Sequence, residues 1–215
     1  LAALMLFMGG RIIGPAAAGQ IYRQGSVPVA RLQPRIEGAL VVLLAIAIVA
    51  TTLPALDPLL RLACIAAGAL ALVRLLRWRL WRCRGRPDLL CLGTGYAWLA
   101  VGLTALGFAA AGASRTAAIH AITVGAMGTL TFNVMASTVM QRARRDRARE
   151  PRLVAGTTLI GLAASLRILA AVIPGQALPL LVAAAACWSA ALLLLVLLLA
   201  DVLRGGRAPR NRARN

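Results

Sequence analysis

The sequence contains no lysine, a single histidine and only six acidic residues among its 215 positions. Charged residues make up 14% of the chain, whereas a soluble domain carries about 25%. This shortage of charge argues against an ordinary soluble globular domain. All 24 basic residues are arginine, which indicates codon bias in a GC-rich genome rather than a designed arginine site.

Cysteine is scarce and lacks metal-binding spacing. The four residues are Cys64, Cys83, Cys91 and Cys187, and no pair is spaced as CxxC. This pattern argues against a zinc signature and a disulfide framework. The chain also lacks an initial methionine and the charged start of a signal peptide. We therefore interpret it as the C-terminal part of a longer membrane protein, whose missing N-terminal helices would pack against it.

Long apolar runs dominate what is present. Hydrophobic residues form 60% of the sequence, and the mean hydropathy is +0.82. A helix needs about 20 apolar residues to cross a bilayer. The predicted complete spans are residues 38–56, 59–76, 89–111, 117–140, 153–173 and 180–200, after a partial span at 1–10. The predicted fold is an all-α, polytopic transmembrane helical bundle that forms a single domain over residues 1–215.

Successive loops alternate between many arginines and few. The loops after the first, third, fifth and last spans carry 4, 6, 6 and 5 arginines, whereas the opposite loops carry only Arg61 and Arg115. By the positive-inside rule, the arginine-rich loops and the C-terminus are cytoplasmic. The net charge of +18 is thus interpreted as topogenic, with contact to membrane lipid and no nucleic-acid partner. Homo-oligomer formation stays open.

Residues 117–140 are the most informative span, because they hold the single histidine, His120. At 100° per residue, one side of this helix is predicted to carry His120, Thr123, Met127, Thr131 and Thr138. Gly125 and Gly128 leave small gaps beside this stripe. We expect such a polar side to pack on protein or on a cofactor, and the aliphatic side to face lipid.

Arg167 lies within the next span, and the predicted orientation places it near His120. Both residues fall in the outer half of the membrane, at depths that differ by about 5 Å. Consecutive helices tend to be neighbours. Arg167 either snorkels outward or pairs with an anion such as a haem propionate. No complete predicted span contains an acidic residue, so a counter-ion would come from a cofactor, a lipid or another segment.

His120 has two interpretations from chemistry alone. It is either a structural residue that hydrogen-bonds between helices, or a metal or haem ligand. Met127 lies about 10 Å along the same face, so the two cannot be opposite axial ligands of one haem. Its thioether is suited to copper(I), although a lone methionine more often serves packing.

The segment IHAITVGAMGTLTFNVM, residues 119–135, resembles the signature of the NnrS family. Three further segments agree with that family in order and spacing. They are GGRIIGPAAAG at 9–19, LGTGYAWLAVGL at 92–103 and LAASLRILA at 162–170. The resemblance covers nearly the whole chain, but only the C-terminal half of a family member of about twelve helices.

The resemblance implies a bacterial inner-membrane protein that binds haem, of b-type, and copper, and that is linked to denitrification and nitric oxide (nitrosative) stress. It suggests His120 as haem or metal ligand, with Arg167, Thr123 and Met127 near the cofactor. The chain departs from the family pattern after Met135. Ser137 stands where the family has an arginine, and Arg142 where it has a second histidine.

Three hypotheses follow. The first is a haem-binding membrane protein of the NnrS type. The second is a transporter, or a metal or haem assembly factor, without a bound redox cofactor. It is favoured by the missing second histidine and by the lack of a nucleophile or acid–base pair. The third is a purely structural membrane module. No reaction is assigned in any of them.

Overall fold

The structure is a computed structural model, and it describes residues 1–25, 33–83, 85–145 and 150–205. It consists of α-helices and short 3₁₀ or π turns, with no strand in these ranges. The helices are α1 (Ala2–Arg23), α2 (Pro34–Ala50), α3 (Asp57–Arg77), α4 (Pro87–Phe108), α5 (Ala113–His120), α6 (Thr129–Arg142), α7 (Pro151–Val172) and α8 (Ala177–Gly205). The predicted all-α fold class is confirmed.

Six helical segments in the described ranges are long and apolar enough to cross a membrane. They begin with α1 and include the combined segment from α5 to α6. Many large hydrophobic side chains on their outer faces are exposed, such as Val101 on α4 and Val196 on α8. Exposed apolar surface of this extent suits contact with lipid. The protein is therefore a multi-pass membrane protein.

The N-terminal segment corrects the sequence prediction. The partial span at 1–10 and the loop expected from Arg11 are instead one 22-residue helix, α1. Pro15 lies inside it but does not end it, which is common in transmembrane helices because their surroundings re-satisfy the freed backbone groups. The rest of this predicted loop, residues 26–32, lies outside the described residues, as do residues 84, 146–149 and 206–215.

The first complete predicted span is shorter than expected. Helix α2 ends at Ala50 after 17 residues. The hydroxyls of Thr51 and Thr52 donate hydrogen bonds to the carbonyls of Ile48 and Val49, at 2.6 and 2.7 Å. These bonds close the last turn and a 3₁₀ turn then leads into α3.

Helix α4 is the centre of the bundle. It packs against α1, α3, α5, α6 and α7. Its start is favoured by Pro87 in the first turn and by buried Asp88, which is ion-paired with Arg86 at 2.6 Å. One buried cluster joins α4 to α1, α2 and α3, and a second joins α6, α7 and α8. The histidine segment runs between these two clusters.

Candidate functional site

His120 is the last residue of α5 and immediately precedes a π-helical segment, Ala121–Gly128. Its side chain is half-buried. Within the described part of the chain, the imidazole has no hydrogen-bond or ion-pair partner. Among the described residues, neither imidazole nitrogen is thus engaged in a hydrogen bond between helices. π-helical turns are rare and are frequent at functional sites.

The π-helical segment is packed closely by two tryptophans. A Cβ atom on Gly125 would lie 2.7 Å from the Trp98 ring, and one on Gly128 would lie 2.6 Å from the Trp188 ring. The gaps that the sequence predicted beside these glycines are thus filled by side chains of α4 and α8. These two contacts hold the histidine segment between the two buried clusters.

Arg167 lies on α7, which packs against α5 and against the π-helical segment. Within the described residues its guanidinium has no carboxylate partner. The side chain lines a groove of about 260 Å³ between the π-helical segment, α7 and α8. The other lining residues are Val124, Ala163, Ala184, Ala185, Trp188 and Ser189.

Thr123 and Met127 lie outside the groove that Arg167 lines. The Thr123 hydroxyl donates to the carbonyl of Ile119 at 2.9 Å, which occupies its proton. Met127 is 36% exposed. Neither residue lines the groove beside Arg167, where Val124 stands instead. The cofactor contacts of Thr123 and Met127 stay predictions.

The polar stripe does not lie where the constant 100° rotation placed it. Thr131 and Thr138 are exposed. The buried polar side chains of α6 are Thr129, Asn133 and Ser137. A π-helix forms its hydrogen bonds over five residues instead of four, so its residues rotate less and the later face shifts. The hydropathy pattern of the sequence does not indicate this change from α-helical to π-helical rotation.

Asn133 makes a polar contact between helices. Its amide nitrogen donates to the Thr157 hydroxyl at 2.8 Å and to the Thr129 carbonyl at 2.9 Å. All three residues are buried. The contact joins α6 to α7 deep in the bundle, about 20 Å along the helix from His120 at 1.5 Å per residue. It supports the site from a distance rather than forming part of it.

Sequence reasoning missed a second charged position, Arg74, because the arginine was interpreted as a loop residue. Arg74 lies within α3, is 3% exposed and is ion-paired with Glu37 of α2. It also donates to the carbonyl of Leu6 on α1 at 3.3 Å. The available signal was its position one turn before the end of an apolar run, together with a glutamate near the start of another.

Aromatic residues surround this ion pair. The Arg74 guanidinium lies 5.4 Å from the centre of the Trp78 ring, and Trp78 lies 4.9 Å from the ring of Tyr96. Trp78 is buried, whereas Trp81 is exposed. The cluster is therefore internal.

The side chains near His120 can be compared with the ligands that a haem group or a metal ion requires. His120 supplies one uncommitted nitrogen, and Arg167 supplies a cation suited to a carboxylate. The described residues contain no group of three histidine, cysteine or acidic side chains that could hold a metal ion. Among the described residues, the chemistry thus offers one candidate axial ligand and one candidate propionate partner. His120 is not among the residues that line the groove beside Arg167.

Neither the curated proteins nor the solved structures give a match. The family model described as NnrS protein matches residues 1–207, which is nearly the whole chain. The chain therefore belongs to the NnrS family.

Proposed function

We propose that this protein binds haem in the bacterial inner membrane through His120, and that it serves denitrification and the response to nitric oxide stress. The observation that carries the proposal is the packing of α5, which ends at His120, against α7, which carries Arg167; within the described residues the imidazole has no hydrogen-bond partner and the guanidinium has no carboxylate partner. An unpaired cation in a membrane span is costly. A cofactor that brings both a metal and a carboxylate would satisfy both residues.

The roles of the two residues follow from their chemistry. A neutral imidazole is the usual proximal ligand of haem iron. A guanidinium forms two parallel hydrogen bonds with a carboxylate, which fixes the orientation of the group it binds. Haem, when bound, would supply the redox and gas-binding chemistry. His120 would hold the metal, and Arg167 would orient the molecule at one propionate.

Copper is the second cofactor in the proposal. Imidazole and thioether ligands both suit copper, so its candidate ligand is either His120 or Met127, which lie about 10 Å apart along one face. At His120, copper would compete with haem. If the ligand is Met127, the variant Met127→Leu should lower copper retention and leave haem retention unchanged.

The direct test is haem titration of the purified protein, followed by absorption spectroscopy. The wild type should bind haem stoichiometrically and show a Soret band. The His120→Ala variant should lose that band, whereas Thr116→Ala, an exposed position one turn earlier on α5, should retain it. An unchanged spectrum in His120→Ala would remove the histidine from the ligand set.

Arg167 distinguishes this proposal from the second candidate function, a transporter or assembly factor. That alternative is favoured by the groove beside Arg167, which also has the Ser189 hydroxyl in its lining. A haem protein should lose affinity for haem in Arg167→Gln and show no solute uptake. A transporter should contain no stoichiometric haem and should lose anion or metal uptake in the same variant.

The predicted membrane orientation belongs to the proposal. The arginine-rich ends of the spans are assigned to the cytoplasm, which places the C-terminus there and His120 near the outer surface. A ligand site near the outer surface would be accessible to small molecules that arrive from outside the cell.

A further inference from the structure

A cleft separates α1 from α2. These two helices touch each other little, and α3 contributes Arg74 to the lining of the cleft. The cleft has a volume of about 230 Å³. Its lining residues are Ala3, Leu6, Phe7, Glu37, Leu40, Val41, Leu44, Ala45, Ile48 and Arg74. All but two of them are apolar.

The apolar lining follows α2 lengthwise. Leu40, Leu44 and Ile48 are spaced by four residues and therefore lie on one face of the helix. From Leu40 to Ile48 the face extends for about 12 Å. Val41 and Ile48 are exposed, so the cleft opens sideways toward lipid. An elongated apolar cleft of this kind suits an alkyl chain.

One end of the cleft is charged. Arg74 and Glu37 are ion-paired there, and the carboxylate is still 31% exposed. Arg11 adds a further cation, because its guanidinium lies 5.0 Å from the centre of the Phe7 ring, which lines the cleft. Arg11 has no ion-pair partner within the described residues. Two guanidinium groups and one carboxylate leave this end with one net positive charge.

We propose that the cleft is a selective site for an anionic phospholipid. The acyl chain lies along Leu40, Leu44 and Ile48, and the phosphate group meets Arg11. Basic pockets between transmembrane helices on the cytoplasmic side of a membrane bind anionic lipid headgroups. Guanidinium groups suit phosphate oxygens. The positive-inside rule places the Glu37 end of α2 at the cytoplasmic side.

The site is independent of the haem proposal. Its residues come from α1, α2 and α3, whereas His120 and Arg167 come from α5 and α7. A lipid here would fill the space between two helices that pack poorly against each other.

The test is native mass spectrometry of the whole protein in detergent, with phosphatidylglycerol, phosphatidylethanolamine or inorganic phosphate added. The wild type should retain one phosphatidylglycerol in preference to phosphatidylethanolamine. Arg11→Gln should weaken phosphatidylglycerol retention about fivefold, the contribution of one arginine near an anionic membrane surface. The matched control is Arg115→Gln, an exposed arginine away from the cleft, which should change nothing.

A second pair of variants tests the apolar part of the site. Ala45→Trp fills the cleft without altering a charge, and should abolish retention of the lipid. Val49→Trp, at an exposed position on α2 outside the cleft lining, should leave it intact.

Two outcomes would overturn the proposal. Equal retention of both lipids, unaffected by Arg11→Gln and by Ala45→Trp, would mean ordinary annular contact. Binding of inorganic phosphate with the same dependence on Arg11, but without dependence on Ala45, would mean a free-anion site rather than a lipid site.

Discussion

Arg74 of α3 is buried inside the bundle and ion-paired with Glu37 of α2, 37 positions away in the sequence. The same guanidinium reaches the carbonyl of Leu6 on α1, so one side chain connects three helices. Burial of a charge in a membrane protein is tolerated when a partner and hydrogen bonds compensate it. The pair therefore fixes the arrangement of the N-terminal half of the bundle.

Loss of the cation should be destabilising. Arg74→Gln leaves Glu37, which is 31% exposed, without its partner, and an unsatisfied polar group in a partly buried site costs about 1–3 kcal/mol. Arg77→Gln, at an exposed position on the same helix, should change stability by at most about 0.5 kcal/mol. The free energy of unfolding in mixed micelles, measured by titration with a denaturing detergent, compares the two. Equal stability of both variants would mean that the ion pair contributes nothing.

Gly10 is predicted to be essential for this arrangement, because a Cβ atom there would overlap the Arg74 guanidinium. Gly10→Ala should displace the guanidinium and destabilise the protein by about 1–3 kcal/mol, as overpacking does. Gly19→Ala is the control, because it lies on the same helix with no atom within 4 Å of the added Cβ. It should stabilise the helix by up to about 1 kcal/mol. Thermal unfolding of both variants would show shifts of opposite sign, and a stabilising effect of Gly10→Ala would contradict the structure.

The contact between Asn133 and Thr157 gives a smaller predicted effect. Thr157→Val removes the hydroxyl that accepts from the Asn133 amide. Hydrogen bonds between transmembrane helices contribute about 0.6 kcal/mol on average and up to about 1.7 kcal/mol, and the loss should lie in that range. The neighbouring Thr158 is exposed and bonds only within its own helix. Thr158→Val should therefore be neutral in the same unfolding assay, and an equal loss in both variants would argue against the interhelical bond.

The membrane orientation can be tested by cysteine labelling in intact cells with an impermeant maleimide. Ser114→Cys, in the exposed first turn of α5, should react from outside. Gln141→Cys, near the exposed end of α6, should react only after lysis. The reverse pattern would invert the orientation and place His120 near the cytoplasm.

The native cysteines should give little background in that experiment. Cys64, Cys83 and Cys91 are buried, and Cys187 is half-buried. Burial raises the pKa of the Cys83 thiol, so the reactive thiolate is scarce at neutral pH. Protein without an introduced cysteine should stay unlabelled during a short exposure, and rapid labelling of it would show that these thiols are more accessible than the structure indicates.

The apolar runs predicted the membrane fold because the length of a run is set by the bilayer and needs no tertiary information. Their ends were less predictable. Helix α1 continues through Arg11 and Pro15 to Arg23, although those residues resemble a loop in isolation. Helix α2 ends early because two threonine hydroxyls cap its last turn, a preference that hydropathy does not measure.

The candidate site was predictable in part. The packing of α5, which ends at His120, against α7, which carries Arg167, followed from the tendency of consecutive spans to be neighbours. The shifted polar face was not predictable, because hydropathy and a constant 100° rotation do not indicate the π-helical segment Ala121–Gly128. The burial of Arg74 involves Gly10 and Glu37 from two other helices, and the sequence pattern indicates the glutamate but not the glycine.

The central claim is that His120 is a haem ligand, and the most direct measurement is chemical rescue of a His120→Gly variant. The purified variant, mixed with haem, should lack the Soret band of the wild type, and added imidazole should restore it by occupying the vacated ligand position. Thr138→Ala, an exposed position on α6, should behave as the wild type throughout. A Soret band that is unchanged in His120→Gly before imidazole is added would contradict the claim.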